Sequence, residues 1–579
     1  MESEASREEG AALPERPKED VPAGEAAPSK NALKKAAKEK EKAEKAAKRK
    51  AQEDAQNAAS AASDISSNDY GDLPIVGTVP ITGPPSATKR TMLSDLVQQL
   101  PPIDPPASFE EPTAQPEPTI LLRCVVGNGR VQSTKLAFLV LEQGMESIQA
   151  VVAASDTLSR QMVKFCGSVP AESMVLVTGV VRRPKETIKS ATVGHLELHV
   201  TRFFVIARSE LKLPIQVEDA ERRIPEEGEK EADEEGKPIV GLNTRLDNRT
   251  IDLRAKLNAA IFTIKDGVCV LFTEFLRQRG FQGIQTPKLV GAATEGGSNV
   301  FEVTYFGRPA YLSQSPQFFK QMRVTSRCEK VMEIGPVFRA ENSNTARHLT
   351  EFTGLDMEMV FEEDYHEVMT VLEELMLFIF NGLKTRYSRE TELVRSVYHV
   401  DEFRLPEAGN IPVIQFPEAI NMLRQAGEQI GDFDDLSTPQ EKLLGRLILK
   451  KHATDFYIID QYPLAVRPFY AMPSAATSSA PLAAQYSNSY DFFMRGQEIM
   501  SGGQRIHDAN LLAKRMREFE PPLDPTHAGF KDYVNSFKYG CPPHGGGGIG
   551  LERIVMLWLG LPNVRLASLF PRDPGRLAP

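Results

Sequence analysis

Between Thr119 and Arg208 the chain carries five short β-rich runs, Ile120 to Val126, Leu136 to Leu141, Ile148 to Val152, Met174 to Val181 and His195 to Ile206. Gly127, Gly129, Gly144, Gly167 and Gly179 punctuate them. So many short strands in so little chain suit a small β-barrel, and an oligonucleotide-binding (OB) barrel is one candidate among several. The period changes further along the chain. Leu257, Ile261, Ile264, Val268, Leu271, Phe275 and Leu276 recur at spacings of three and four, which predicts a long amphipathic helix that ends at Gly280 and leads to Pro287. Beyond it helical and strand signals alternate without a Gly-rich βαβ fingerprint, which argues against a doubly wound nucleotide fold. The expected class is α+β, with a barrel followed by a larger mixed domain.

Composition confines the folding to part of the chain. Residues 1–95 are poor in aromatics and rich in Ala, Glu, Lys, Ser and Pro, so they are expected to form a mostly disordered extension. Within it, residues 29–52 predict a Lys-rich helix: Ser29 can cap it, and Ala, Lys and Glu favour it. With only Leu33 and alanines apolar, that helix has no face for a core; it is either a solvated charged helix or an arm that tracks phosphates. The charge supports a local reading, because Lys30 to Lys50 carries +7 and the rest of the chain −17. A polyanion held on the body therefore needs local contacts. Residues 96–211 are assigned to the barrel domain, the acidic, Pro- and Gly-marked stretch 212–245 to a hinge, and 246–579 to the larger domain.

Other classes are disfavoured. No apolar run approaches the roughly 20 residues of a membrane span. The acidic N-terminal stretch lacks the marks of a signal or transit peptide, so a cytoplasmic address is expected. Five widely spaced cysteines support neither a disulfide framework nor a zinc site.

Several clusters after residue 290 are too polar for packing alone. They include Glu295-Gly296-Gly297-Ser298, Gln314-Ser315-Pro316-Gln317 with Lys320, and Phe338-Arg339-Ala340-Glu341 followed by His348 and Phe352. In Leu355-Asp356-Met357-Glu358-Met359 the alternation predicts a strand that buries one face and presents carboxylates on the other. Arg553 follows a Gly-rich stretch at the predicted start of a helix, placed for bidentate contact with phosphate.

Phe338-Arg339-Ala340-Glu341 with His348 and Phe352 resembles the second signature of class II aminoacyl-tRNA synthetases, and Gly548-Ile549-Gly550-Leu551-Glu552-Arg553 the third. The segment from Gly280 to Pro287 resembles the first. With Gln314 to Lys320, Arg339 to Thr345 and Ser501 to His507, the pattern resembles the eukaryotic cytosolic aspartyl-tRNA synthetase family, especially its fungal forms, from about Ile120 to Pro579. The resemblance implies an antiparallel sheet flanked by helices and an anticodon-binding OB barrel. The reaction implied is ATP-dependent activation of L-aspartate to aspartyl-adenylate, then transfer to the 3′-terminal adenosine of tRNA(Asp).

The resemblance also distributes roles. Arg339 and Arg553 are the catalytic cations, and ATP is held by Arg339, Glu341, His348, Phe352, Glu498 and Arg553. Asp491 and Glu498 are implied ligands of Mg²⁺. Aspartate is implied to lie against Glu295, Gln317 and Ser501 at its ammonium and Lys320 and Arg505 at its side chain, with Asp356 orienting Lys320. Phe138, Gln149 and Glu197 are implied anticodon contacts, Pro287 lies at an implied homodimer interface, and Lys30, Lys34, Lys35 and Lys38 belong to the implied tRNA arm. Taken singly, several have plain readings: Phe138 as barrel core, Lys320 and Arg505 as surface charges, Asp356 as a strand-edge carboxylate. Two rivals stand beside this reading. An asparaginyl-tRNA synthetase shares the scaffold but recognises a neutral amide, against which Lys320 and Arg505 argue. A catalytically silent RNA-binding protein needs only the arm and barrel, and the set Arg339, Glu341, Phe352, Asp491, Glu498 and Arg553 argues against it.

Overall fold

The computed structural model describes residues 64–76, 90–102, 117–224, 239–293, 295, 299–343, 345–406 and 410–579, which fall into two units, 1–211 and 212–579. The first contains β1 (Tyr70–Asp72), α1 (Leu93–Gln99), β2 (Thr119–Ser133), β3 (Leu136–Gln143), β4 (Glu146–Ala153), α2 (Arg160–Ser168), β5 (Met174–Arg182) and β6 (Glu197–Ala207). Strands pair in the order β1-β6-β4-β3-β2-β5, and β5 pairs again with β6, so β2 to β6 close into a five-stranded barrel. Alternation builds its inside: Ala137, Leu139 and Leu141 of β3 are buried, whereas Phe138 and Val140 point to the other face. Helix α2, capped by Ser159 accepting from the Met162 N–H at 3.1 Å, adds Met162, Val163 and Cys166 to the same core.

The extension is ordered further than its composition predicts. β1 runs parallel to β6, with Tyr70 opposite Phe203, and α1 buries Leu93 and Leu96 in the barrel core. A few apolar residues in a polar stretch suffice when a sheet edge and a core are already present to receive them. The Lys-rich stretch 29–52, with Lys30, Lys34, Lys35 and Lys38, lies outside the described residues.

In the second unit the long helix is α3 (Lys256–Gln278), with every apolar position of the three-four pattern buried. The side chain of Ala255 cannot cap it; instead the Glu221 carboxylate accepts from the N–H groups of Lys256 (2.5 Å) and Leu257 (3.0 Å), at the end where a negative charge is favoured. Gly280, with φ of +83°, carries the chain out of the helix. In the described parts of the stretch 212–245, expected as a hinge, the Arg222 carbonyl also accepts from Arg245 at 3.2 Å, and these residues are counted with the second unit.

The remaining strands are β7 (Gln282–Gly283), β8 (Leu289–Val290), β9 (Glu302–Tyr305), β10 (Arg308–Leu312), β11 (Lys330–Phe338), β12 (Glu351–Val360), β13 (Val413–Gln415), β14 (Phe456–Asp460), β15 (Ser489–Met494), β16 (Gln497–Gln504) and β17 (His544–Gly550). Eight of them form one sheet, β13-β14-β15-β16-β17-β12-β11-β7, antiparallel except at its two ends. Helices α4 (Gln317–Thr325), α5 (His366–Arg386), α6 (Thr438–His452) and α7 (Leu551–Leu559) accompany it.

The centre of this sheet differs from the one-faced strand expected at β12. Residues 354–359 are buried throughout, so Asp356 and Glu358 lie in a buried polar layer rather than on an open face. Glycine makes that layer possible. Gly548 lies opposite Asp356 and Gly546 opposite Glu358 in β17. A Cβ on Gly546 would come 2.1 Å from the Met357 carbonyl oxygen and 2.4 Å from Glu358 Oε2. The Gly-rich run is the space that two buried carboxylates require.

Candidate active site

A cavity of about 440 Å³ opens over the sheet in the second unit, lined from one end by Arg339, Glu341, His348, Phe352, Glu498 and Arg553 and from the other by Glu295, Gln317, Lys320, Asp356, Ser501 and Arg505. All twelve are sequence-predicted site residues. Asp491 is not part of this wall; it is buried behind Ser501 and Glu498 on β15.

The first end is built for a polyanion. Arg339 leaves the end of β11, its backbone N–H donating to Thr350 O at 2.9 Å, and its guanidinium lies 5.5 Å from the Phe352 ring centre. Arg553 is in the first turn of α7 and donates to the Glu498 carbonyl at 2.8 Å. Its neighbour Glu552 accepts from Thr353 N–H (3.0 Å) and Lys265 (2.7 Å), which ties α7 to β12 and α3. Burial pulls the His348 imidazole below its ordinary value, and although Glu341 opposes this, Arg347, Arg553 and Arg339 add to it. Its Nδ1 lies 2.7 Å from Thr345 Oγ1, and a neutral ring that accepts there leaves the Nε2 proton for a ligand.

The second end holds a buried quartet. Lys320 Nζ lies 3.0 Å from Asp356 Oδ1 and 3.3 Å from Glu358 Oε2, and Arg505 Nε lies 3.0 Å from Glu358 Oε1. Arg505 Nη2 also donates to Gly546 O at 3.1 Å. Lys320 is 2% exposed, Arg505 6% and Glu358 0%, so the reading of the two cations as surface charges is overturned. Burial pushes the Asp356 carboxyl up against the pull of Lys320. Burial also pushes Glu358 up, but Arg505 and Lys320 outweigh it and hold it below the ordinary carboxylate value. Counting donors, Lys320 spends two N–H groups on carboxylates and Arg505 spends its Nε and Nη2 donors. Among the described residues, one Lys320 N–H and both Arg505 Nη1 donors remain for a ligand.

Above this floor Tyr470 and Ser315 hydroxyls donate to Glu295, and Gln317 Nε2 is buried without a partner. Behind it Tyr533 O–H donates to Gln321 Oε1 (2.8 Å), Gln321 Nε2 lies 3.0 Å from His544 Nε2, and His544 Nδ1 lies 2.9 Å from Pro542 O. The chain is satisfied by one tautomer, a neutral His544 with its proton on Nδ1. Burial lowers that histidine, in keeping with this state.

Sequence reasoning missed Glu358, which joins the two cations, although its place two residues after Asp356 on one strand face carried the signal. Tyr470 and Arg467 were missed too. Arg467 donates to Asp491 Oδ2 (2.6 Å) and Ser501 Oγ (3.0 Å) and lies 3.8 Å over the Tyr462 ring; nothing in the local pattern distinguishes it from a surface charge.

In the first unit, Phe138, Gln149 and Glu197 occupy one outer face of the barrel. Gln149 is opposite both Val140 and Glu197 in register, and Phe138 is the next outward residue before Val140. Phe138 is half-buried under Arg130, 5.1 Å from its ring centre, and is not barrel core. Glu197 lies 2.7 Å from His199 Nε2. Pro287 is exposed between β7 and β8. All five cysteines are free thiols, and among the described residues no helix is long and apolar enough to cross a membrane.

Residues 241–574 match the family model described as tRNA synthetases class II (D, K and N). A Homo sapiens protein named aspartate–tRNA ligase, cytoplasmic, is 52% identical over 447 residues, covering 77% of this chain and 85% of its own length. A Caenorhabditis elegans protein of the same name is 50% identical over 456 residues, covering 78% and 84%. Among solved structures, an aspartyl tRNA synthetase from Entamoeba histolytica aligns with a TM-score of 0.75 and 41% identity, over 88% of this chain and 96% of that one.

Proposed function

The chain belongs to the class II tRNA synthetases, and on that premise we propose how its cavity works as an aspartate–tRNA ligase in the cytoplasm, the compartment named for its relatives. One observation carries the choice of amino acid: the two cations at the cavity floor, Lys320 and Arg505, keep unspent N–H donors for the ligand. A side-chain carboxylate offers two oxygens and a charge to those donors. An asparagine amide would set its own NH₂ against them. The aspartate ammonium is assigned to Glu295 and Gln317, with Ser501 beside them.

ATP is assigned to the other end. Phe352 offers a face for adenine and Glu341 an acceptor for its amino group, while His348 can donate through Nε2 to phosphate oxygen. Arg339 and Arg553 stabilise the charge that grows on the α-phosphoryl group as the aspartate α-carboxylate attacks it in line and pyrophosphate leaves. The residues also fit Mg²⁺. Asp491 Oδ1 is a buried acceptor without a partner, and Glu498 lines the cavity beside it. Two carboxylates with phosphate oxygens and water suit this ion. When bound, Mg²⁺ would neutralise phosphate charge. The second reaction passes the aspartyl group from the adenylate to the 3′-hydroxyl of the terminal adenosine of tRNA(Asp), forming the ester as the acyl–phosphate bond breaks and AMP leaves.

The outer barrel face, with an aromatic ring and two base-edge partners, is assigned to the anticodon, and the stretch from Lys30 to Lys38 to the tRNA backbone. The active enzyme is proposed to be a homodimer around Pro287; a monomer mass in light scattering at micromolar concentration would contradict this. Pyrophosphate exchange with aspartate and asparagine in parallel tests the central assignment. Exchange with aspartate alone is expected, and equal exchange with asparagine would overturn the pocket.

A further inference from the structure

Arg467 has no part in the reaction assigned to the cavity, yet it is firmly built into the cavity wall. Its guanidinium bridges Asp491 Oδ2 at 2.6 Å and Ser501 Oγ at 3.0 Å and packs 3.8 Å over the Tyr462 ring. The carboxylate it engages is one of the two assigned to Mg²⁺. Glu498 lines the cavity beside this pair, and Arg467 offsets one of the two carboxylate charges when both are ionised.

We infer that Arg467 is the resident cation of the Asp491–Glu498 pair, and that it restricts entry of the divalent ion to the nucleotide-bound enzyme. The reason is Coulombic. A divalent cation approaching a carboxylate pair with one charge already offset gains less than it would without Arg467, and it must come close to a fixed positive group. Polyphosphate oxygens reverse that balance, because they add negative charge on the cavity side and can themselves engage Arg467. The metal then arrives with ATP instead of waiting for it. This prevents the carboxylates from being locked by metal before the substrate is present.

The inference rests on the metal assignment under the proposed function, and the test separates the two. Mn²⁺ binding to the full-length protein is read by electron paramagnetic resonance, with and without ATP. Without ATP the unaltered protein is expected to show no saturable Asp491-dependent site. Arg467→Met is expected to gain one, at least tenfold tighter than any site in the unaltered protein, and Asp491→Asn added to it should remove the gain. Arg467→Lys, which keeps the charge but cannot bridge both partners, should gain little. If Arg467 merely holds Asp491 in place, Arg467→Met loses metal affinity instead, and the inference is overturned. A Mn²⁺ site in the unaltered protein without ATP that Asp491→Asn removes overturns it as well, and that comparison decides even if both Arg467 variants fail to fold. With ATP present, Asp491→Asn should weaken Mn²⁺ uptake; if it does not, the metal assignment itself falls. If it does, while Arg467→Met gains nothing without ATP, only the role of Arg467 falls.

Discussion

Replacing Arg505 with Leu removes a cation without removing the cavity. Its two unspent Nη1 donors are the ones available to the substrate carboxylate, and a hydrogen bond to a charged group contributes about 1.5–3 kcal/mol. Losing two such bonds should cost about 3–6 kcal/mol of transition-state stabilisation, or about a hundred- to ten-thousandfold in kcat/KM for aspartate. Stability falls too, because Glu358 keeps only Lys320, at 3.3 Å, as a cationic partner. Breaking a buried pair costs about 3–5 kcal/mol. A thermal melt must therefore establish that the variant is folded at the assay temperature. ATP binding is the internal control, since Arg339 and Arg553 at the other end are untouched. The assay is aspartate-dependent pyrophosphate exchange beside the same measurement with asparagine. The preference for aspartate over asparagine should collapse along with the rate. Exchange within about tenfold of the unaltered protein, in a folded variant with the preference intact, would refute the donor count on which the pocket rests.

Other perturbations test separate parts. Gly546→Ala places a Cβ 2.1 Å from the Met357 carbonyl, so β12 and β17 must separate; loss of several kcal/mol of stability, seen as a lowered melting temperature, is expected, with aspartate exchange lost in any folded fraction. His366, 3.1 Å from buried Asp460 and also bonded to Asp364, is raised to about 9, with the Asp460 hydrogen bond the leading cause. Because its folded value lies above its unfolded one, the stabilisation is complete below about pH 6.5, declines above it and is gone past about pH 9. With the ring partly exposed, about 1 kcal/mol is expected after screening. The melting temperatures of unaltered protein and His366→Gln should differ at pH 6 and converge by pH 10; a constant gap would contradict the linkage. Deleting residues 1–60 should weaken tRNA binding and flatten its salt dependence while leaving adenylate formation intact, and an unchanged salt slope would count against the basic arm.

Legibility in the sequence differs from element to element. The five barrel strands and the α3 helix are readable because each declares itself through a local period, two for a strand and 3.6 for a helix, enforced by one buried face. The signature residues Arg339, Phe352 and Arg553 are readable because each is a chemically costly residue in a fixed local setting. Tertiary structure alone decided that the carboxylate face of β12 is buried at the floor of a cavity. Alternation of Met with Asp and Glu predicts one wet side, and only the opposing glycines of β17, nearly two hundred residues later, convert that side into a buried ionic layer. The same holds for the fate of the cations. Lys320 and Arg505 lie far apart in the chain and each is an ordinary surface residue by type. Glu358 joins them only after β12, β16 and β17 have paired. Chain order encodes faces and periods, which are short-range properties. Burial of charge depends on partners brought from distant segments, because a carboxylate leaves water only when a cation and the empty space of a missing side chain meet it at the same place.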